Sequence, residues 1–145
     1  MAARQQRAAA PREIPPAILA TMKQGAVEAA HRAYAPYSRF AVGAAVLCDD
    51  GRIHSGANVE NASFGLSICA ERNAMFRAVA DGARTIAALV VYTPTADATP
   101  PCGACRQVLA EFGADALIVC CSDAAADRRY RLAELLPHAF GPQHL

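Results

Sequence analysis

Three cysteines and one glutamate have the residue types and spacing of a metal site with a proton carrier beside it. The segment Cys69-Ala70-Glu71 places a thiol and a carboxyl group two positions apart, and Pro101-Cys102-Gly103-Ala104-Cys105 adds two thiols further along the chain. Zinc is the first choice for this set, because thiolates favour it and it has no redox chemistry. Structural zinc sites usually have four protein ligands, whereas catalytic sites have three and leave one position to water. The choice between the two depends on whether the chain supplies a fourth ligand.

The remaining cysteines and the histidines are not expected to supply that ligand. Cys48, Cys120 and Cys121 lie in apolar runs that predict strands, so we interpret them as small buried residues. Successive side chains of a strand alternate, so Cys120 and Cys121 should point to opposite faces of the sheet. The histidines share no ligand spacing with the cysteines and are interpreted as surface or loop residues: His31, His54, His138 and His144. The metal site is therefore expected to keep an open position.

Both metal-binding segments open predicted helices, and this placement favours thiolates. Unpaired N–H groups and the helix dipole stabilise negative charge at a helix N-terminus and lower the pKa of a thiol there. Cys102 and Cys105 lie three residues apart on one helical face and can converge on a single ion. Three thiolates on Zn²⁺ leave a formal charge of −1. Arg72, directly after Glu71, is hypothesised to compensate this charge by donating hydrogen bonds to sulfur.

The pattern along the chain alternates between helical and strand-like segments. Apolar spacing and turn residues predict, in order, a helix over 17–33 stopped by Pro36, a hairpin of strands 41–48 and 52–58, a helix over 69–81 capped by Gly82, a strand over 86–92, a helix over 102–112 capped by Gly113, a strand over 116–121 and a short helix near 132–136. Strands separated by helices of this length favour parallel pairing. We therefore expect a three-layer α/β/α sandwich whose mixed sheet has about five strands, with an antiparallel hairpin at one edge.

Length indicates one domain, and net charge indicates no bulk attraction to a polyanionic partner. The chain has 145 residues, so residues 15–145 are expected to form a single catalytic domain, and residues 1–14 lack apolar periodicity and are expected to be a disordered tail. The net charge of +1 gives no bulk attraction to nucleic acid or to a membrane surface. The N-terminus lacks the apolar run of a secretory signal, and no segment is long and apolar enough to span a membrane. A cytoplasmic location is the expectation.

Five segments taken together resemble the small, homotetrameric type of cytidine deaminase. They are Ser38-Arg39-Phe40-Ala41-Val42-Gly43-Ala44, Asn58-Val59-Glu60-Asn61-Ala62, Cys69-Ala70-Glu71-Arg72, Pro101-Cys102-Gly103-Ala104-Cys105-Arg106-Gln107 and Leu135-Leu136-Pro137-His138-Ala139-Phe140. A C-x-E followed by P-C-x-x-C is the signature of zinc deaminases in their three-cysteine form. The resemblance covers about Ile18 to Leu145. The chain departs from it at Ala41, where the family often has proline, and in its additional tail.

The resemblance implies hydrolytic deamination of cytidine and deoxycytidine to uridine and deoxyuridine, as in pyrimidine salvage. It assigns one zinc ion per subunit to Cys69, Cys102 and Cys105, and the proton shuttle to Glu71. It also implies substrate contacts at Phe40, Asn58, Glu60, Ala70 and Phe140. Asn58 and Glu60 would bind the ribose hydroxyls, Phe40 would flank the base, and Phe140 would come from a neighbouring subunit of a homotetramer whose active sites lie at subunit interfaces.

Other interpretations explain less of the sequence. Blasticidin deaminase shares the zinc signature and the Leu-Leu-Pro ending but lacks the Asn-x-Glu-Asn loop found here. Editing and tRNA deaminases usually present histidine at the position of Cys69 and need a basic surface. A non-catalytic zinc-stabilised binding module would have no use for Glu71 or for an open coordination position. Thioredoxin-like redox chemistry leaves Cys69 and Glu71 unexplained.

Overall fold

A five-stranded mixed sheet, with helices on both faces, forms the described part of the chain. The computed structural model describes residues 13–145. Its main elements are α1 (Pro16–Ala30), β1 (Gly43–Cys48), β2 (Ile53–Ala57), α2 (Ala70–Ala80), β3 (Ile86–Tyr92), α3 (Gly103–Gly113), β4 (Leu117–Cys121), β5 (Arg128–Arg131) and α4 (Leu132–Leu135), with single 3₁₀ turns at Phe64–Leu66 and Pro142–His144. The predicted α/β sandwich is confirmed.

The strand order is β2-β1-β3-β4-β5. β1 pairs antiparallel with both β2 and β3, β3 pairs parallel with β4, and β4 pairs antiparallel with β5. The β1–β2 hairpin therefore forms one edge, as predicted, and Gly51 turns it with a φ of +87°. α3 is the crossover between the parallel pair, which requires a connection long enough for a helix.

Two apolar clusters, one on each face of the sheet, make up the core. On β1, Ala44, Val46 and Cys48 join the cluster under α2 and α3, whereas Ala45 and Leu47 join the cluster under α1. This alternation is the two-residue period of a strand buried on both faces. Cys120 and Cys121 divide in the same way, since Cys120 belongs to the first cluster and Cys121 to the second. They therefore point to opposite faces, as predicted.

Glycines allow the helices to approach the sheet closely at two points. A Cβ on Gly56 of β2 would lie 2.4 Å from the backbone nitrogen of Ala74 and 2.8 Å from the carbonyl oxygen of Ala70, both on α2. A Cβ on Gly113 would lie 2.7 Å from the Ile86 side chain. Gly113 was predicted to cap α3 from outside the helix, but it is the last residue of α3 and it packs closely on Ile86 of β3. Gly82, with φ +95°, is such a cap after α2.

Three local expectations differ from the structure. α1 ends at Ala30 rather than 33, because the chain turns so that Tyr34 can pair through its backbone with Asn58 and Glu60. β5 was not located by the sequence, and it pairs with β4 through its backbone although its residues are Arg128-Arg129-Tyr130-Arg131. His54 is buried rather than on the surface: it lies opposite Val46 on the face that packs on α2.

The N-terminal expectation falls mostly outside the described residues. Residues 1–12 of the predicted tail are not among the described residues. Ile14, which the same prediction included in the tail, is buried in the cluster under α1. Among residues 13–145, no helix has the length and apolar character needed to cross a membrane.

Candidate metal centre and active site

The candidate site lies at one end of the strands of the sheet, where segments distant in sequence meet. Gly43 lies opposite Ala57 on β2 and opposite Tyr92 on β3. β1 therefore begins at the end of the sheet where β2 and β3 finish. This register brings together the loop before β1, the loop from β2 to α2 and the loop from β3 to α3. The N-termini of α2 and α3 consequently lie at this same end of the strands.

Three thiols converge where these two helices begin. Cys69 is the N-cap of α2, Cys102 is the N-cap of α3, and Cys105 lies in the first turn of α3. Their sulfur atoms all lie within 4.8 Å of one another, and those of Cys69 and Cys102 are 3.8 Å apart. A tetrahedral ion with Zn–S bonds of about 2.3 Å separates two sulfurs by about 3.8 Å, so the spacing fits zinc. Among residues 13–145, no fourth cysteine, histidine or carboxylate joins this cluster.

Glu71 is buried next to the thiols. It lies in the first turn of α2, and only 4% of its surface is exposed. Burial raises the pKa of its carboxyl group to about 7, and the negative charge of Cys69 adds to this effect. A carboxyl group that can hold or release a proton near neutral pH is suited to general acid–base catalysis.

Arg72 faces the sulfur of Cys69. Its Nη2 donates a hydrogen bond of 3.3 Å to Cys69 Sγ. The pKa of Cys69 is lowered to about 5, first because the Cys105 thiol donates a hydrogen bond to it and then because Arg72 does. Donating that bond raises the pKa of Cys105. The arrangement favours a thiolate at Cys69 even before a metal binds.

Two adjoining cavities extend from the thiols along the loop after β2. One has a volume of about 140 Å³ and is lined by Asn58, Glu60, Ser67, Ile68 and Cys69. The other has a volume of about 260 Å³ and is lined by Tyr37, Ser38, Glu60, Phe64 and Ser67. They share Glu60 and Ser67, so the structure brings these two residues together with Asn58 and with Cys69, one of the three clustered thiols.

The polar side chains of Asn58 and Glu60 also hold the loop before β1. Asn58 Oδ1 accepts a hydrogen bond of 2.8 Å from Val42 N, and its Nδ2 donates one of 2.8 Å to the carbonyl oxygen of Phe40. Glu60 accepts hydrogen bonds from the backbone of Tyr37 and from Ser38. Both residues thus have a structural role in addition to the predicted substrate contacts.

The other residues predicted to bind substrate are not among the described residues that line these two cavities. Ala70 is fully buried at the start of α2, and Phe40 is exposed at the loop before β1. Phe140 is 59% exposed, its ring stacks on His144, and its carbonyl oxygen accepts a hydrogen bond of 2.9 Å from Gln107. Neither Phe40 nor Phe140 occurs among the described lining residues of the two cavities.

Several supporting residues were not assigned a role from the sequence. Ser38 lies in one of the quoted segments, but its contact with Glu60 spans 22 positions and has no spacing signal. Ser67 lines both cavities and has no motif around it. Buried Thr93 lies 2.7 Å, Oγ1 to Oγ1, from Thr95, in the loop that leads to Pro101. The same loop is held at its end by Arg106, whose Nε donates to the Pro101 carbonyl oxygen at 2.7 Å.

Comparisons with known proteins agree with this geometry. Residues 18–121 match the family described as "Cytidine and deoxycytidylate deaminase zinc-binding region". A cytidine deaminase of Halalkalibacterium halodurans is 48% identical over 116 residues, which cover 79% of this chain and 88% of that protein. One from Mycobacterium tuberculosis is 46% identical over 120 residues, covering 83% and 87% of the two chains. The crystal structure of cytidine deaminase from Burkholderia pseudomallei superposes with a TM-score of 0.80 at 44% identity, covering 83% of this chain and 98% of that one.

These matches confirm the predicted family and its zinc cofactor. The matched region includes Cys69, Glu71, Cys102 and Cys105, so it contains the whole thiol cluster described above. The chain belongs to the cytidine and deoxycytidylate deaminase family.

Proposed function

We propose that this protein is a zinc-dependent hydrolase that deaminates cytidine and deoxycytidine to uridine and deoxyuridine, with release of ammonia. The observation that carries the proposal is the position of Glu71, a buried carboxyl group beside three thiols that no fourth protein ligand joins within residues 13–145. A structural zinc site needs neither the carboxyl group nor the open position. Membership in the deaminase family supports the same conclusion.

Glu71 is the proton carrier of the proposed reaction. Zinc bound by Cys69, Cys102 and Cys105 would lower the pKa of a water molecule from 15.7 toward about 7. The Glu71 carboxylate accepts a proton from the water that adds to C4 of the base and passes one to ring N3, which prevents negative charge from accumulating on the ring. It then assists the departure of the amino group as ammonia. Acid–base catalysis of this kind contributes roughly 10²- to 10⁴-fold.

Asn58 and Glu60 are proposed to bind the sugar hydroxyls of the nucleoside. Both line the cavity that includes Cys69, so a base at the thiols would place its sugar near them. A carboxylate that accepts a hydrogen bond from a sugar hydroxyl also repels a phosphate group, so nucleosides are favoured over nucleotides. Ala70 is proposed to contact the base from the start of α2, and Phe40 to flank it.

Arg72 is proposed to compensate the net negative charge of three thiolates on Zn²⁺. The hydrogen bond from its Nη2 to Cys69 supports this role. Without compensation, the excess negative charge would weaken the polarisation of a water molecule by the metal.

We further propose that the enzyme is a homotetramer whose active sites lie at subunit interfaces. Large apolar side chains are exposed around the cavities, among them Tyr37, Phe64 and Leu66, and such patches mark interaction surfaces. Phe140, also exposed, is proposed to complete the pocket of a neighbouring subunit. Activity should then require the oligomer, and a fully active monomer, identified by light scattering during size-exclusion chromatography, would refute this arrangement.

A role in pyrimidine salvage and a cytoplasmic location complete the proposal. Three ligand thiols have to stay reduced in order to bind zinc, and reducing conditions are those of the cytosol.

The proposed activity is tested by following the loss of ultraviolet absorbance when cytidine is added to the purified, zinc-loaded protein. Deoxycytidine should be converted as well, whereas adenosine, cytidylate and blasticidin S should not. Turnover of blasticidin S in place of cytidine would favour a blasticidin deaminase. A protein that retains zinc but converts none of these compounds would favour a non-catalytic binding module.

A further inference from the structure

Ser38 holds the carboxylate of Glu60 in one orientation. Glu60 Oε2 accepts hydrogen bonds from two consecutive backbone N–H groups, those of Tyr37 at 2.9 Å and Ser38 at 3.1 Å. Glu60 Oε1 accepts a hydrogen bond from the Ser38 hydroxyl group. Both carboxylate oxygens are therefore held by the loop before β1, and only Oε1 is held by a side chain.

The hydroxyl proton of Ser38 can be assigned to Glu60. Ser38 Oγ also accepts a hydrogen bond of 3.0 Å from Phe40 N. A hydroxyl group has one proton, and an ionised carboxylate only accepts, so the proton of Ser38 points at Glu60 Oε1. The same hydroxyl lowers the pKa of Glu60, which keeps the carboxylate ionised. Ser38 thus connects Glu60 to the backbone of Phe40.

This arrangement leaves one acceptor position on the carboxylate. Two oxygens offer about four lone-pair sites, of which Oε2 uses two and Oε1 uses one. The remaining site is on Oε1, the atom whose orientation depends on the Ser38 hydroxyl group. Glu60 lines both cavities, so a ligand hydroxyl in them could donate to that site.

The backbone of this loop is constrained as well. Arg39, between Ser38 and Phe40, has a φ of 56°, which a non-glycine residue rarely adopts. Asn58 holds the next part of the loop through the Phe40 carbonyl oxygen and Val42 N. Contacts on both sides of Arg39 therefore maintain an unfavourable backbone conformation, as occurs at binding sites.

We propose that Ser38 is a positioning residue, which orients Glu60 Oε1 to accept a hydrogen bond from a sugar hydroxyl and so favours nucleosides that carry one. The inference rests on the proposed function, because it needs a nucleoside in the cavities. Ser38 itself need not touch the substrate. Its effect should therefore depend on whether the substrate has a hydroxyl group for Glu60 to bind.

The test compares cytidine with 2′,3′-dideoxycytidine in zinc-loaded full-length protein. Ser38→Ala should lower kcat/KM for cytidine roughly ten- to a hundredfold, mainly through KM, since a hydrogen bond to a charged group is lost. Its kcat/KM for the dideoxy compound should change less than twofold. Ser38→Thr keeps the hydroxyl group and should keep the wild-type selectivity. Ser63→Ala, at an exposed serine in the segment after β2, should have no effect on either substrate.

Outcomes that overturn the inference differ from those that overturn the function. Equal losses on both substrates would show a merely structural role, and unchanged cytidine kinetics in Ser38→Ala would show no role. If Ser38→Ala does not fold, Ser38→Cys, whose thiol is a weak donor, should show the same selective loss, and an equal loss on both substrates would refute the inference. A wild-type protein inactive on cytidine would overturn the proposed function together with the role of Ser38.

Discussion

Arg72 Nη2 and Cys69 Sγ are joined by a hydrogen bond of 3.3 Å across the first turn of α2. Residues three positions apart on a helix lie on the same face, so the N-cap thiol and the guanidinium group are neighbours by helix geometry alone. The bond raises the pKa of the Arg72 guanidinium group further above its usual range. The guanidinium group therefore remains charged beside the three thiols.

Replacing Arg72 with glutamine should lower activity while the fold survives. A hydrogen bond from a charged donor contributes about 1.5–3 kcal/mol, which corresponds to a roughly ten- to hundredfold decrease in kcat/KM. Steady-state kinetics with cytidine, together with zinc content per subunit, measure the effect. The matched control is Arg77→Gln on the same helix, an exposed arginine that donates a hydrogen bond of 3.5 Å to Ser55 O. Unchanged activity of Arg72→Gln at full zinc occupancy would remove the proposed role.

Removing zinc should lower the thermal stability of the protein. The three thiols lie at the N-termini of α2 and α3, where one bound ion would join the two helices. An ion that binds only the folded state stabilises it by an amount that grows with the logarithm of its affinity. We expect a chelator to lower the Tm of the wild type and to have little effect on Cys105→Ser, which lacks one ligand. Cys120→Ala, at a buried cysteine outside the cluster, should keep the response to the chelator. An unchanged wild-type Tm after verified loss of zinc would contradict the prediction.

Replacing Gly56 with alanine should destabilise the fold. The added Cβ would lie 2.4 Å from Ala74 N, a backbone atom of α2 that cannot move alone. Overpacking of this kind costs about 1–3 kcal/mol and can cost more, and it would separate β2 from the helix that carries Glu71. Urea unfolding measures the free energy. The control is Gly25→Ala in α1, where nothing lies within 4 Å of the new Cβ and the change should stabilise the protein by about 0.4–1 kcal/mol. Equal stability of Gly56→Ala and the wild type would show that the helix and strand can separate without cost.

The parts of the fold that could be predicted are those specified by local pattern. Apolar runs located β1, β3 and β4, because strands buried on both faces need no alternation. Gly51 and Gly82 were recognisable turn and cap residues, and both have positive φ. The clustering of Cys69, Cys102 and Cys105 was predictable because two of them open one helix and the third opens another. Spacing along the chain was sufficient for each of these features.

The features that the sequence missed depend on contacts between distant segments. β5 has the composition of a charged loop, and only its backbone pairing with β4 makes it a strand. His54 is buried because it lies opposite Val46, which the residues around it do not reveal. The bond from Ser38 to Glu60 joins two loops that meet only because β1 begins where β2 ends. Such contacts follow from register, and a single sequence does not specify register outside its apolar strands.

The central claim is that Glu71 carries the protons of the reaction, and Glu71→Gln tests it most directly. Glutamine has nearly the same shape but cannot exchange a proton near neutral pH, and the buried carboxyl group it replaces lies outside the cluster of three thiols. With zinc content and cytidine binding both measured as unchanged, kcat should fall roughly 10²- to 10⁴-fold. Substantial turnover by a zinc-loaded Glu71→Gln variant would contradict the account.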